Sequence, residues 1–221
     1  KQYIKYGLFG FLGFYLINIV SVNVEFYCSI TNSFYIFNSI FSNKKKNILL
    51  YVSGSVSCFK ACSLISMLVK NNYDVQVVAS KDSLNFVGKS SLEGLSHHKV
   101  HTDMFNDEYE IPHIELAQRW ADLIIAYPAS ADCLNRMSQG LCDDLFGAIC
   151  LANNYKKPLL VAPAMNSQMF LHPTVQKSIE ILKSWGTEIL DCNEGTLACG
   201  ESGYGRLLEP QEAFKIIESH F

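Results

Sequence analysis

No two of the eight cysteines in this chain are spaced Cys-x-x-Cys. That absence argues against a structural zinc site and against a thioredoxin-type redox pair. A disulfide framework is not needed either, because 221 residues with 49% hydrophobic content bury an ample core. The thiols are therefore read as reduced and the compartment as cytoplasmic. Excess charge of one sign is also missing. A net charge of −3 gives no basic face for nucleic acid. Neither the Gly-x-Gly-x-x-Gly dinucleotide fingerprint nor a P-loop occurs. Internal repeats and low-complexity linkers are absent after residue 44.

The first 43 residues differ in kind from the rest. YGLFGFLGFYLINIVSVNV, residues 6–24, carries no charge and is long enough to span a bilayer, though Asn18 and Asn23 interrupt it. It reads either as a leader or anchor or as an upstream extension outside the folded domain. Membrane association is expected only in the first case. KKKN at 44–47 marks the boundary, and residues 44–221 are read as one domain.

Within that domain five apolar runs are expected to be strands, at 47–52, 74–80, 121–127, 157–163 and 187–190. Helical spacing is expected near 58–71, 113–120, 131–140, 144–152 and 174–185. Such alternation predicts a doubly wound parallel α/β sheet, a Rossmann- or flavodoxin-like three-layer sandwich. Ligands of such sheets bind at the carboxyl ends of the strands. Small and hydroxyl residues collect at those ends: Ser53, Gly54 and Ser55, then Ser80 and Ser83, then Ser130 and Ala131. Backbone N–H groups and a helix dipole there suit one terminal phosphate. Ordinary Ser and Gly turn chemistry reads the same way.

GTLACGESGYGRLLEP, residues 195–210, reads as a glycine-rich loop that closes over something, with Cys199 at its centre. On its own Cys199 is a small hydrophobe or a positioned acid or nucleophile. His97, His98 and His101 look metal-like but offer no full ligand set, and they are read as a solvated loop with no metal.

Together SGSVSCFKA, SKDSLNF, HIELAQRWADLIIAYPASAD, GLCDDL, VAPAMNSQMF and LACGESGYGRLLEP resemble the flavin-dependent cysteine decarboxylases over residues 46–212. Within them the chain is similar to the branch acting on 4′-phosphopantothenoylcysteine in coenzyme A synthesis. The resemblance implies FMN as cofactor and a carboxy-lyase activity. It implies catalytic roles for His113 and Cys199, the thiol acting as an acid toward the decarboxylated enethiolate. A thiol with an ordinary pKa of about 8.5 is a competent acid at neutral pH.

Asn166 and Met165, with Thr196, Leu197 and Ala198, match substrate-binding positions. Gly54, Ser55, Val56, Ser80, Ser83, Phe86, Ser130, Ala131, Asp132, Cys133 and Ala164 match FMN contacts. A homotrimer is implied, with FMN and the histidine near a subunit boundary. Four residues depart from the family pattern, one of them Thr196, which stands where some relatives have a basic residue. Asp132 stands where Asn is usual, Cys133 where Thr is, and Phe170 where Trp is. A carboxylate at 132 is expected to disfavour an anionic reduced flavin. The chain ends 11 residues after Pro210, so no synthetase domain is expected behind it. Other readings are a regulatory subunit that binds a protein phosphatase, or a decarboxylase of peptidyl cysteine.

Overall fold

The computed structural model describes residues 45–105, 110–191, 193–196 and 202–221. The segment 6–24 and Cys199 therefore lie outside the described residues, as do Leu197 and Ala198. Among the described residues no helix is long and apolar enough to cross a membrane.

The chain opens with β1 (Asn47–Val52), followed by α1 (Cys58–Lys70) and β2 (Asp74–Ala79). A 3-10 turn (Asp82–Asn85) leads to α2 (Lys89–Ser96). Then α3 (Pro112–Ile114) runs directly into a π-helix (Glu115–Trp120). Next come β3 (Leu123–Ala129), α4 (Ala131–Gln139), α5 (Leu145–Asn153) and β4 (Leu159–Pro163). The remainder is α6 (Ser167–Leu171), α7 (Pro173–Ser184), β5 (Glu188–Ile189), β6 (Asn193–Thr196), β7 (Ser202–Arg206) and α8 (Pro210–Glu218).

The five-stranded sheet has the order β2-β1-β3-β4-β5 with every pair parallel. This is the flavodoxin-like order, whose switch point lies between β1 and β3. Strands buried on both faces need side chains apolar on both, and β1 meets that need throughout Ile48–Val52. Period-two alternation sends Ile48, Leu50 and Val52 to one core, with Leu64 and Leu68 of α1 and Ile217 of α8. Leu49 and Tyr51 go to the other, with Leu134 of α4, Phe146 and Ile149 of α5 and Leu182 of α7. Each fully buried Leu or Ile contributes about 2 kcal/mol.

The expected strands are all present, shifted by a few residues. β3 starts at Leu123 because Asp122 is used as a brace, its carboxylate accepting from the Asn47 backbone N–H at 3.0 Å. It also runs on through Pro128, where the missing N–H coincides with a register shift between Ala126 and Ala129 against β4. The Tyr127–Pro128 peptide is cis. α2, α6, the β6–β7 hairpin and α8 were not legible as elements. α2, KSSLEGLS, is rich in residues of poor helix propensity and forms by packing on α1. α8 starts on a capping box between Glu209 and Glu212 with Pro210 at its first position.

Candidate active site

Three strand ends are tied together at the switch point. The Ser53 hydroxyl donates to the Pro128 carbonyl at 2.9 Å and accepts from the Ser130 N–H at 2.7 Å. The Ala164 N–H donates to the Ala129 carbonyl at 2.9 Å. Ser130 then caps α4, its Oγ accepting from the Cys133 N–H at 3.2 Å. Above these ends opens a cavity of 770 Å³, within the range of ligand pockets, about 300–1,000 Å³.

Of the residues matched to cofactor contacts, Gly54, Ser80, Phe86, Ser130, Ala131 and Asp132 line this cavity. Ser83 does not reach it. It is fully buried, donating its hydroxyl to the Ser80 carbonyl at 2.7 Å and its N–H to the Ser80 hydroxyl at 3.1 Å. It therefore shapes the turn that presents Ser80. Ser55 lies in the turn before α1, its Oγ accepting from the Ser57 N–H at 3.2 Å, and does not line the cavity. Val56 beside it is exposed and off the cavity.

Cys133 and Ala164, matched to FMN contacts, do not line the cavity. Both point into the core, and the Cys133 thiol packs on the Met137 sulfur at 3.7 Å. Burial first, then Cys150 and Asp144, pushes the Cys133 thiol well above its ordinary pKa, so it stays neutral.

The inner wall is aromatic. Tyr51 and Phe146 stack with centroids 3.8 Å apart and planes 3° from parallel. Burial first, then the nearby Cys133 thiol and the Asp144 carboxylate, drives the Tyr51 pKa above its usual value, so this phenol is a donor at all physiological pH. Tyr51 was hidden in an apolar strand. Its one signal is a hydroxyl within NILLYV, one residue from the strand end.

The rim carries Lys81 and Arg136 among five carboxylates, Asp82, Asp103, Asp132, Asp143 and Asp144. Arg136 pairs with Asp143, with Asp144 at 3.7 Å and with Asp132 at 3.9 Å. The Asp132 side chain is 80% exposed. Its charge is thus met by a guanidinium and by water, which weakens the effect expected on a flavin.

A donor set of hydroxyls and helix-start N–H groups, an aromatic wall and this volume fit a flat ring carrying one phosphate. Gly54, Ser80 and Ser130 with Ala131 would hold the phosphate and polyol, and Tyr51 with Phe146 the apolar part.

His113 sits in α3, which packs on α5. It does not line the cavity, although Leu145 and Phe146 at the start of α5 do. Its Nδ1 is buried without a hydrogen-bond partner among the described residues, a state that calls for an explanation. The helix continues as the π-helix, a form frequent at functional sites.

Asn166 caps α6, its Oδ1 accepting from the Gln168 N–H at 2.8 Å, which fixes the amide plane. Met165 is half-buried against the second core, whereas Met169, one turn further, lines the cavity. The repeated Met of the Pro-Ala-Met-Asn-x-x-Met motif was the available signal. Thr196 ends β6, paired with Ser202 of β7, so Leu197, Ala198 and Cys199 fall in the connection between these two strands.

The histidine cluster is not a solvated loop. His101 is buried, extends the sheet edge by a parallel bridge to Val78 and contacts Gln76 Oε1 through Nε2 at 3.0 Å. His98 instead pairs with Asp74 at 2.7 Å. Separate partners hold these imidazoles in separate places.

The Flavoprotein family matches residues 38–221. The chain belongs to that family. Its flavoprotein domain is 40% identical over 178 residues to the coenzyme A biosynthesis bifunctional protein CoaBC of Bacillus subtilis (strain 168), covering 80% of this chain and 43% of the relative. The CoaBC of Mycolicibacterium smegmatis is 38% identical over 174 residues, covering 79% and 41%. The flavoprotein chain thus spans less than half the length of these curated relatives.

Among solved structures, a cysteine-to-serine mutant of PPC decarboxylase complexed with pantothenoylaminoethenethiol superposes with a TM-score of 0.73 at 33% identity, covering 80% of this chain and 98% of that one. The FMN binding protein AtHal3 gives 0.71 at 34% identity, covering 80% and 97%.

Proposed function

We propose that this flavoprotein is an FMN-dependent decarboxylase that converts 4′-phosphopantothenoylcysteine to 4′-phosphopantetheine and CO2. The observation that carries the reading is the 770 Å³ cavity at the β1/β3 switch point, in a fold shared along nearly the whole length of a PPC decarboxylase. A cysteine carboxylate has no electron sink, so losing CO2 directly would leave an unstabilised carbanion. FMN held by Gly54, Ser80, Ser130 and Ala131 would supply the missing electron sink, a reversible two-electron oxidation of the substrate thiol.

The chain's own groups do the rest. Asn166 binds the substrate carboxylate through a neutral amide, which orients the charge without strongly stabilising it. Strong stabilisation would oppose CO2 loss. His113 serves as base or electrostatic partner while the thiol is oxidised and CO2 departs. Cys199 protonates the enethiolate left behind. A closed segment over the site would exclude water from these intermediates.

The assembly is a homotrimer in which a neighbouring copy brings His113 to the cavity. Two features support this: His113 does not line the cavity of its own chain, and Phe86, Phe105 and Met169 leave an apolar rim exposed around it. The compartment is cytoplasmic.

Substrate class is tested by comparing kcat/KM for 4′-phosphopantothenoylcysteine, its unphosphorylated form and a peptide ending in cysteine. The phosphorylated substrate is expected to lead by at least ~10-fold, the value of one well-placed phosphate contact. Equal use of the peptide would overturn the substrate class. Sizing of the same preparation should give a trimer, and an active monomer would overturn the shared site.

A further inference from the structure

A phenol hydroxyl stands in the aromatic wall of the cavity, where the apolar part of the flavin fits. Packing fixes its ring. In the sheet Tyr51 lies between Val78 of β2 and Ala126 of β3, and the small Ala126 leaves room for a large side chain. Phe146 stacks on the ring from the first turn of α5. The start of α5 is itself seated against the preceding loop, because a Cβ on Gly147 would overlap the Leu141 carbonyl. Tyr51 is only 6% exposed and still borders the cavity.

The groups around this hydroxyl decide where its hydrogen goes. The side chain it reaches is that of Ser80. Ser80 Oγ already accepts from the Ser83 N–H at 3.1 Å, and an N–H can only donate. The serine therefore keeps its own hydrogen to give, and the phenol oxygen is an acceptor for it. Two other polar neighbours are committed elsewhere. The Cys133 thiol packs on the Met137 sulfur at 3.7 Å. The Asp144 carboxylate accepts from the Gly147 N–H at 2.7 Å and faces Arg136 at 3.7 Å. The phenol hydrogen is left to an acceptor in the cavity, and a buried tyrosine hydroxyl normally has a partner.

We propose that Tyr51 donates this hydrogen bond to the ring of bound FMN and so sets the cofactor's redox balance. Reduction by two electrons puts more negative charge on the ring's nitrogen and oxygen atoms. A hydrogen bond to a charged acceptor is stronger than one to a neutral acceptor. Tyr51 therefore holds reduced FMN more tightly than oxidised FMN and makes the flavin a better oxidant. It acts against Asp132, whose carboxylate has the opposite effect. This role stands on the flavin and not on the substrate, so failure of the decarboxylase reading leaves it intact.

The test uses the full-length protein, stripped of flavin and reloaded with FMN, as wild type and as Tyr51→Phe. Fluorescence titration gives the Kd of oxidised FMN. Equilibration with reference dyes under anaerobic conditions gives the midpoint potential of bound FMN. Removing the hydroxyl should raise the Kd of oxidised FMN about threefold, and that of reduced FMN about tenfold more than that. The midpoint potential should then fall by about 30 mV, the equivalent of tenfold in a two-electron couple. Phenylalanine keeps the stack, so the flavin-free variant should melt as the wild type does.

Phe146→Leu, which loosens the ring but leaves the hydroxyl, should lower the potential by less than half as much. Both forms of FMN weakened equally, with the potential unchanged, would put the hydroxyl on the phosphate or polyol and overturn the redox role. A shift in Phe146→Leu as large as in Tyr51→Phe would assign the effect to the aromatic wall and overturn it too. Affinity and potential both unchanged in Tyr51→Phe would remove the hydroxyl from the cofactor altogether.

Discussion

Cys199→Ser should release CO2 from 4′-phosphopantothenoylcysteine and then stop, accumulating the decarboxylated product that lacks two hydrogens. Decarboxylation and the return of electrons are separate events, and only the second needs a proton delivered to carbon. A thiol with an ordinary pKa of about 8.5 is a usable acid near pH 7, and a serine hydroxyl is not. Loss of a positioned proton donor costs about 10²–10⁴-fold, so reduced product should fall by at least ~100-fold while first-turnover CO2 stays near one per site. Mass spectrometry of a single anaerobic turnover measures both. Full conversion to phosphopantetheine by the variant would remove Cys199 from this role.

His113→Asn should have the opposite phenotype, with CO2 release itself strongly reduced. The histidine's Nδ1 is buried and unpartnered among the described residues. The fold therefore gains no hydrogen bond through it, and its replacement by a smaller polar residue should leave thermal stability close to wild type. CO2 release should fall ~10²–10⁴-fold, the range for a positioned acid or base. Near-normal turnover would sink the assignment. A collapse in melting temperature would show that the ring is there for packing. Mixing His113→Asn with a second inactive variant, one that keeps His113 but is crippled in the cavity, tests the neighbour's contribution. Partial recovery of activity is expected only if one copy serves another's cavity.

The sheet was legible because both faces of each strand are covered. Runs such as Ile48–Val52 and Leu123–Ala129 carry no polar group beyond one tyrosine hydroxyl each. The strand-end turns were legible too, as Ser53, Gly54, Ser80 and Ser130 stand where apolar patterning stops. What depends on three-dimensional neighbours was not. Nothing in the spacing of Cys133 and Ala164 says that they stay off the cavity while Ala131, about as buried, borders it. Arg136 gathers Asp132, Asp143 and Asp144 from two segments, and its compensation of Asp132 is visible only after folding. His101 read as loop because a single-residue bridge to β2 has no period of its own. The β6–β7 hairpin carries so many glycines that local propensity opposes it. Its stability is tertiary, through the contacts at Met165 and Ser167 that the missing side chains admit.

This chain should remove CO2 from a cysteine carboxylate only with flavin in its cavity. The most direct measurement is mass spectrometry of 4′-phosphopantothenoylcysteine incubated with the full-length protein, once stripped of flavin and once reloaded with FMN. Conversion to 4′-phosphopantetheine is expected with the reloaded protein, and unchanged substrate with the stripped one. Unchanged substrate with FMN demonstrably bound would contradict it, as would CO2 loss that proceeds equally well without flavin.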